Sequence, residues 1–499
     1  MSKTSKILLV IFLIAIFVRF YGYPKNVYFA FDQARDSYFA LNILRGDLRL
    51  IGPPSAASDK LFPGPLSLYI YSAIYFLLGK SPVILSAFFR ILNATGIFLT
   101  FLIGSALFGN PVGLLSALLF AISYEQSQYS LFSSHQPLAV IPMLAFYYGL
   151  SILIFEKKKK GLAISTTGLA LAIQFHYVYV LLVPIFILII ILFKRKIPII
   201  TRKNFLISLG LFLLVVSSYI IAEVKFGFRV FSVVFSSNPK ISLHFNDVLY
   251  VVRRSLHDQF FSNYQYLFLV LASLLLTTYY LIRKKATRDK IIFLVLWFCG
   301  GLIPYLLSGT TSYYYSGSAF VSLSILISYA IFKTYPKFKK LSLTLLGLIL
   351  INNILQIKTQ NVIGPNKDIV IQPEMLIGNE EKVLDYSYQN AGTKTFAVKA
   401  LTIPLNINTT WSYLFEWYGK EKYGFLPIWV GKPAEGFPGN LPYESSRSKL
   451  PETQFLIIEP TIGISQSYLE NFFKEENYFT KLVEEKKFGT IIVQKRLKI

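Results

Sequence analysis

Residues 157–196 read KKKKGLAISTTGLALAIQFHYVYVLLVPIFILIIILFKRK. A basic cluster stands at each end, and the run Gly161–Phe193 between them is apolar. A transmembrane helix needs about 20 residues, so a run of 33 is too long for one span. Basic loops stay on the cytoplasmic side, so both ends face the same way. Two short helices then form a hairpin whose outer tip falls at Gln174-Phe175-His176.

The same two rules extend outward from the hairpin. The chain has 499 residues, 54% hydrophobic and 15% charged. A soluble domain carries about 25% charged residues, which excludes an ordinary cytosolic enzyme, a disordered chain and a collagen-like one. The net charge is +24. On a soluble protein that excess would suggest nucleic acid. Here five clusters hold 20 of the basic residues against two acids: Lys3/Lys6, Lys157–Lys160, Lys194–Lys203, Arg283–Lys290 and Lys333–Lys340. The charge therefore marks cytoplasmic loops, and a nucleic-acid partner is not expected. Apolar segments lie at 7–23, 82–107, 111–124, 137–155, 161–174, 178–193, 204–222, 264–282, 291–307, 314–332 and 341–357. Keeping Lys3 and Lys157 on one side leaves Leu66–Leu78 as a helix at the outer interface. The expectation is a polytopic α-helical protein of the plasma (inner) membrane with about eleven spans. Its N-terminus is cytoplasmic, 7–23 is a retained first span rather than a cleaved signal, and the first outer loop covers 24–81.

From Lys358 onward the composition changes to that of a soluble domain. Thr395–Leu401, Gln454–Ile458 and Thr490–Gln494 read as strands and Tyr468–Glu476 as a helix. That alternation implies a small α/β domain. Residues 404–442, rich in Pro, Gly and aromatics, carry no assignable pattern. The expected division is a membrane domain over 1–357 and an extracytoplasmic α/β domain over 358–499. Cys299 is the single cysteine, so no intrachain disulfide exists.

Outside the tail and the clusters the chain has eight carboxylates: Asp32, Asp36, Asp47, Asp59, Glu125, Glu223, Asp247 and Asp258. The expected topology puts all of them on outer loops or outer helix ends. Acids at mid-membrane would signal an ion pathway; acids gathered on one face point to a site at the outer surface. The first loop carries the densest group, Phe31-Asp32-Gln33-Ala34-Arg35-Asp36-Ser37-Tyr38. On a helix over 32–45, Asp32, Arg35 and Asp36 share a face, where a general base could stand beside a cation. The competing interpretation makes Asp32 an N-cap and Arg35/Asp36 a solvated pair.

These residues resemble the membrane glycosyltransferases of the GT-C fold, especially glycosyltransferase family 39 with its protein O-mannosyltransferase and aminoarabinose–lipid A transferase members. That family carries an Asp-Glu-x-Arg-Tyr type motif after the first span; here it reads Asp32-Gln33-Ala34-Arg35-Asp36. Gly46-Asp47 matches its small residue–Asp pair, and Phe62-Pro63-Gly64-Pro65-Leu66 stands where it has Phe-x-Lys-Pro-Pro-Leu. The resemblance continues through Arg90, Gln136-Pro137, the hairpin tip and Tyr313, across most of residues 1–335. It implies a polyprenyl-phosphate sugar donor, transfer on the outer face to a lipid, glycan or protein acceptor, and membrane lipids as surroundings. It assigns Asp32 as the catalytic carboxylate, Arg35 as a cation for the leaving phosphate, and Tyr313 as a tyrosine near that phosphate. Gln33 replaces the second acid, the lysine is absent, and Gln136 stands where several members have an acid. A divalent metal is compatible with such chemistry, but no ligand set is evident in the sequence, and the cofactor is unknown.

Asp36 and Glu125 are the candidate acids that could substitute for the missing one. Arg253 and Arg254 are further candidate cations, from the composition of the 223–263 loop alone. Gln174 and His176 are candidates at the hairpin tip, with a turn-satisfying histidine as the alternative. Tyr313-Tyr314-Tyr315 also reads as an interfacial aromatic belt. The expected activity is an inverting, mannosyltransferase-like transfer of a hexose or pentose in the making of cell-envelope glycan. The competing class is a flippase or secondary transporter of a lipid-linked or polar solute, for which repeated halves and broken helices are not visible.

Overall fold

A computed structural model describes residues 2–54, 62–228, 242–263, 265, 267–308, 311–392, 395–460 and 462–499. Asp59 and the middle of the 223–263 loop lie outside the described residues. The helices in chain order are α1 (Lys3–Arg19), α2 (Phe31–Leu44), α3 (Leu66–Leu78), α4 (Pro82–Phe108), α5 (Asn110–Ile122), α6 (Tyr124–Leu131), α7 (Val140–Phe155), α8 (Lys160–Phe175), α9 (Leu182–Leu192) and α10 (Arg202–Lys225). They continue with α11 (Phe245–Gln259), α12 (Leu267–Arg283), α13 (Arg288–Ser308), α14 (Ala319–Thr334), α15 (Lys339–Gln360), α16 (Ile377–Ala391), α17 (Thr409–Leu414), α18 (Lys420–Tyr423) and α19 (Gln466–Phe479). Among the described residues, each of the eleven apolar segments read from the sequence carries a helix. Among the described residues, five helical stretches are long and apolar enough to cross a membrane: Pro82–Phe108, Pro137–Phe155, Arg202–Lys225, Arg288–Leu307 and Lys339–Ile363. Leu66–Leu78, Asn110–Ile122, Tyr177–Leu192, Leu267–Arg283 and Ala319–Thr334 are shorter apolar helices.

The chain divides into two compact units. The first comprises Met1–Tyr21, Arg49–Ser67 and Phe88–Thr359. The second comprises Gly22–Leu48, Leu68–Ala87 and Gln360–Ile499.

In the first unit, α7 and α8 pack with their backbones in contact. A Cβ added to Gly149 would lie 2.4 Å from Ser165 N, one on Gly161 2.4 Å from Gly149 O, and one on Gly168 2.6 Å from Phe146 N. Lipid supplies no hydrophobic force between helices, so close approach at small residues holds them. Between α8 and α9, His176 Nδ1 accepts from Val178 N at 3.2 Å and starts the 3-10 turn Tyr177–Leu181. Arg19 is buried without a carboxylate because it caps α5 instead. Its guanidinium donates to the carbonyls of Phe120 (2.9 Å) and Ala121 and to Asn93 Oδ1 (3.1 Å). Those carbonyls are the negative end of the α5 dipole, where the helix's own hydrogen bonds run out; Phe120 O also accepts from the cap residue Ser123 N at 3.2 Å. Arg90 donates to Arg19 O at 2.6 Å, so it holds α1 to α4.

In the second unit, six strands form one sheet: β1 (Ala397–Leu401), β2 (Ile428–Val430), β3 (Tyr443–Glu444), β4 (Thr453–Ile458), β5 (Thr480–Phe488) and β6 (Ile491–Lys498). The order is β3-β2-β1-β4-β6-β5. β1 runs parallel to β2 and β4, and β6 is antiparallel to both β4 and β5. The segment without a sequence pattern, 404–442, forms α17, a π-turn at Phe415–Gly419, α18 and β2. It is tied to the sheet by Glu459, which accepts from Trp411 Nε1 (2.9 Å), Ile403 N (3.0 Å) and Gln372. The first loop also joins this unit. Tyr28 bridges Leu376 antiparallel, with Phe29 N donating to Met375 O and Ile377 N to Val27 O.

Candidate active site

Six of the predicted site residues fall into two clusters, Asp32, Arg35 and Asp36 in the second unit and Glu125, Arg254 and Tyr313 in the first. In the second unit, α2 begins at Phe31 with Ala30 as its N-cap. Asp32 is therefore a first-turn residue and not the cap. Ala30 N donates to Gln33 Oε1 at 3.3 Å, so Gln33 supplies the N3 half of a capping box, the half that satisfies the cap residue's own N–H. That gives the residue in place of the second acid a structural task.

Arg35 reaches both neighbouring acids. Nη1 lies 2.8 Å from Asp32 Oδ1, and Nη2 lies 2.8 Å from Asp36 Oδ1. The Arg35 guanidinium also lies over the Phe31 ring at 5.3 Å. Arg35 and Asp36 are buried, which corrects the picture of a solvated pair, whereas the Asp32 side chain is 50% exposed. One cation shared by two carboxylates leaves a net negative charge, and the accessible part of it is on Asp32. Asp36 anchors the arginine. Farther along the helix, Tyr38 donates to Glu416 on the π-turn at 2.8 Å.

In the first unit, α6 starts at Tyr124 behind Ser123, whose hydroxyl accepts from Gln126 N. Glu125 in its first turn is buried and accepts from Gln259 Nε2. Burial first, and then the charge of Asp258, push the Glu125 carboxyl up to about 8, with Arg254 opposing. It is protonated at neutral pH, which suits a hydrogen-bonding group better than a base.

Arg254 and Asp258 stand one turn apart on α11 and both address Tyr313. The Arg254 guanidinium lies 4.3 Å from the Tyr313 ring centroid and donates to Thr311 O at 2.7 Å. The Tyr313 hydroxyl donates to Asp258 Oδ2 at 2.6 Å. Tyr313 is 1% exposed, so it belongs to this cluster and not to an aromatic belt. Arg253 is exposed.

The remaining candidates separate from these contacts. Gln174 donates to Val215 O (2.6 Å) and Ser218 Oγ (2.8 Å), and its carbonyl accepts from Gly64 N. It joins α8, α10 and the 62–65 segment. His176 packs on His135 (5.7 Å) and Tyr315 (5.2 Å), and burial lowers its imidazole to about 3. It is neutral at neutral pH and satisfies the turn, as the alternative expected. Gln136 immediately precedes the 3-10 turn Pro137–Ala139 that leads into α7.

Sequence reasoning missed Asp258 and Gln259 as site residues, together with the amides that hold them. Asn352 donates to His257 O (3.3 Å), Gln356 to Asp258 O (2.8 Å) and Asn353 to Gln259 O (2.6 Å). These are the last carbonyls of α11, which its own hydrogen bonds cannot use. The signal available in the sequence was the i, i+4 spacing of Arg254 and Asp258. Among the described residues, no group of three or more His, Cys, Asp or Glu side chains is placed to hold a metal ion.

With the helical unit, the mixed sheet and both clusters described, the chain can be set beside known proteins. Residues 63–221 match the family model described as dolichyl-phosphate-mannose-protein mannosyltransferase, and the fold is shared with two solved membrane-enzyme structures. In particular, the chain is similar to ArnT from Cupriavidus metallidurans bound to undecaprenyl phosphate, with a TM-score of 0.62 and 11% identity over 99% of this chain and 98% of that one. It is also similar to the archaeal oligosaccharyltransferase AglB from Archaeoglobus fulgidus in complex with an inhibitory peptide and a dolichol-phosphate, with a TM-score of 0.52 and 12% identity over 98% of this chain and 74% of that one. No curated protein sequence matches this one.

Proposed function

We propose that this protein is a membrane glycosyltransferase that moves a sugar from a polyprenyl-phosphate donor to an acceptor hydroxyl or amine on the outer face of the plasma membrane, with inversion. Asp32 is its catalytic carboxylate. The observation that carries this is the half-exposed Asp32 carboxylate fixed by the buried Arg35–Asp36 pair in the first turn of α2. The GT-C fold, and the polyprenyl or dolichol phosphate named with the two similar structures, support the donor class.

In the reaction the acceptor attacks the anomeric carbon while its proton passes to Asp32. The bond from that carbon to the phosphate oxygen breaks, and the electron pair leaves with the phosphate. In the first unit, Arg254 beside Tyr313 is assigned to a donor phosphate, where a buried guanidinium is worth more than one in water. The five basic clusters face the cytoplasm, so the first loop and the C-terminal domain lie outside.

The test is to incubate purified full-length protein, with and without a chelator, with a panel of polyprenyl-phosphate sugars and candidate acceptors. Release of polyprenyl phosphate by the wild type, and none by Asp32→Asn, is expected. Full activity in Asp32→Asn overturns the assignment. Lipid flipping in vesicles without phosphate release points to a transporter instead.

A further inference from the structure

Tyr313 has one hydroxyl proton, and that proton goes to Asp258 Oδ2 at 2.6 Å. A phenol committed in this way offers an approaching anion only its lone pairs. Its ring is employed differently, as the face on which Arg254 rests at 4.3 Å. Arg254 and Asp258 lie on the same side of α11, so one helix grips Tyr313 twice, by a cation on the ring and a carboxylate on the hydroxyl. The Tyr313 carbonyl is fixed as well, accepting from Tyr129 (2.6 Å) and Tyr305 (3.2 Å). Asp258 is itself held: Oδ1 is 2.8 Å from His257 Nδ1, and its carbonyl accepts from Gln356 at 2.8 Å.

We propose that Asp258 is a positioning residue for the donor phosphate. It locks Tyr313 as a platform that aims Arg254, and the Tyr313 hydroxyl itself does not touch the donor. This rests on the assignment of Arg254 to the donor phosphate above. It differs from the role that resemblance gives Tyr313, because the phenol acts through its ring and its bond to Asp258.

A double-mutant cycle separates the two. Affinities of the purified full chain in detergent are measured for undecaprenyl phosphate and, as the phosphate-free control, undecaprenol. Asp258→Ala and Tyr313→Phe remove the same hydrogen bond, so each is expected to weaken undecaprenyl phosphate binding about tenfold, the range of one charge-assisted bond. The double variant should be no weaker than the weaker single one. Undecaprenol binding should not change. Asp258→Asn should restore most of the affinity, because its amide oxygen still accepts from the phenol. Additive losses, or a loss in Tyr313→Phe with none in Asp258→Ala, would mean that the phenol holds the donor and would overturn the proposal. Equal weakening of both lipids would reduce Asp258 to a packing role and also overturn it. Should Asp258→Ala fail to fold, Asp258→Ser, too short to reach the phenol, replaces it in the cycle. Arg254→Ala separates the two levels. If it leaves undecaprenyl phosphate binding unchanged, the donor-site assignment fails; if it weakens binding while Asp258→Ala does not, only the positioning role fails.

Discussion

Asp32 and Asp258 are both outer-loop acids in the sequence, and the structure treats them in opposite ways. Asp32 keeps half of its side chain in solvent and shares Arg35 with a second carboxylate. Asp258 is buried, and its two oxygens are taken by Tyr313 and His257. A carboxylate that must accept a proton from a substrate has to remain reachable. One that organises its neighbours gains from being enclosed, because its hydrogen bonds strengthen as water is removed. On the proposed function, the two clusters therefore differ as a reactive group differs from a scaffold.

The comparison breaks most visibly at Asp32. Replacing it with Asn should lower the transfer rate by about a hundredfold or more while the melting temperature stays close to wild type, since the side chain is half exposed. Measured rates and thermal melts of the two proteins check this; a large drop in melting temperature would make Asp32 structural. Next in size is Arg254→Ala, which should weaken polyprenyl phosphate binding by about tenfold or more. Binding titrations at two salt concentrations check it.

Glu125 sharpens the contrast through pH. Its folded pKa of about 8 lies above the value of about 4.3 for an unfolded glutamate. The stability it contributes is complete below the unfolded value and is lost as pH rises through about 8. Glu125→Gln keeps a neutral side chain at every pH. Its melting temperature should therefore fall less than that of the wild type between pH 5 and 8.5, as paired thermal melts would show. The smallest effect belongs to Tyr38→Phe, which removes the bond to Glu416. It should cost about 1 kcal/mol, read as a small shift in the melting temperature with transfer activity retained.

The sequence made the membrane helices legible because long apolar runs and lysine clusters encode them directly. The run Gly161–Phe193 breaks into two helices at His176, within the expected tip. In the C-terminal domain, β1, β4 and α19 were legible from local pattern. β5 was not, because Lys481, Glu484, Glu485, Lys486 and Lys487 give an edge strand the charge that guards it against pairing, and that charge hides its alternation. Residues 404–442 escaped because the π-turn interrupts the helical period. At the site, Asp32, Arg35 and Asp36 sit within one turn and could be grouped by spacing. The bond between Asp258 and Tyr313 joins residues 55 positions apart, and the amides that finish α11 come from nearly 100 positions downstream. Contacts of that range leave no local mark.

Those amides also set where the chain can be cut. Asn352, Asn353 and Gln356 lie near the C-terminal end of α15, while the carbonyls they receive belong to the helix that carries Arg254 and Asp258. A shortened protein ending between Tyr313 and Asn352 would still include every residue of the Tyr313 cluster, yet would remove all three amides from the end of that helix. For anyone trimming this protein to its membrane part, the minimum length is fixed by three amide side chains and not by the last residue of the cluster.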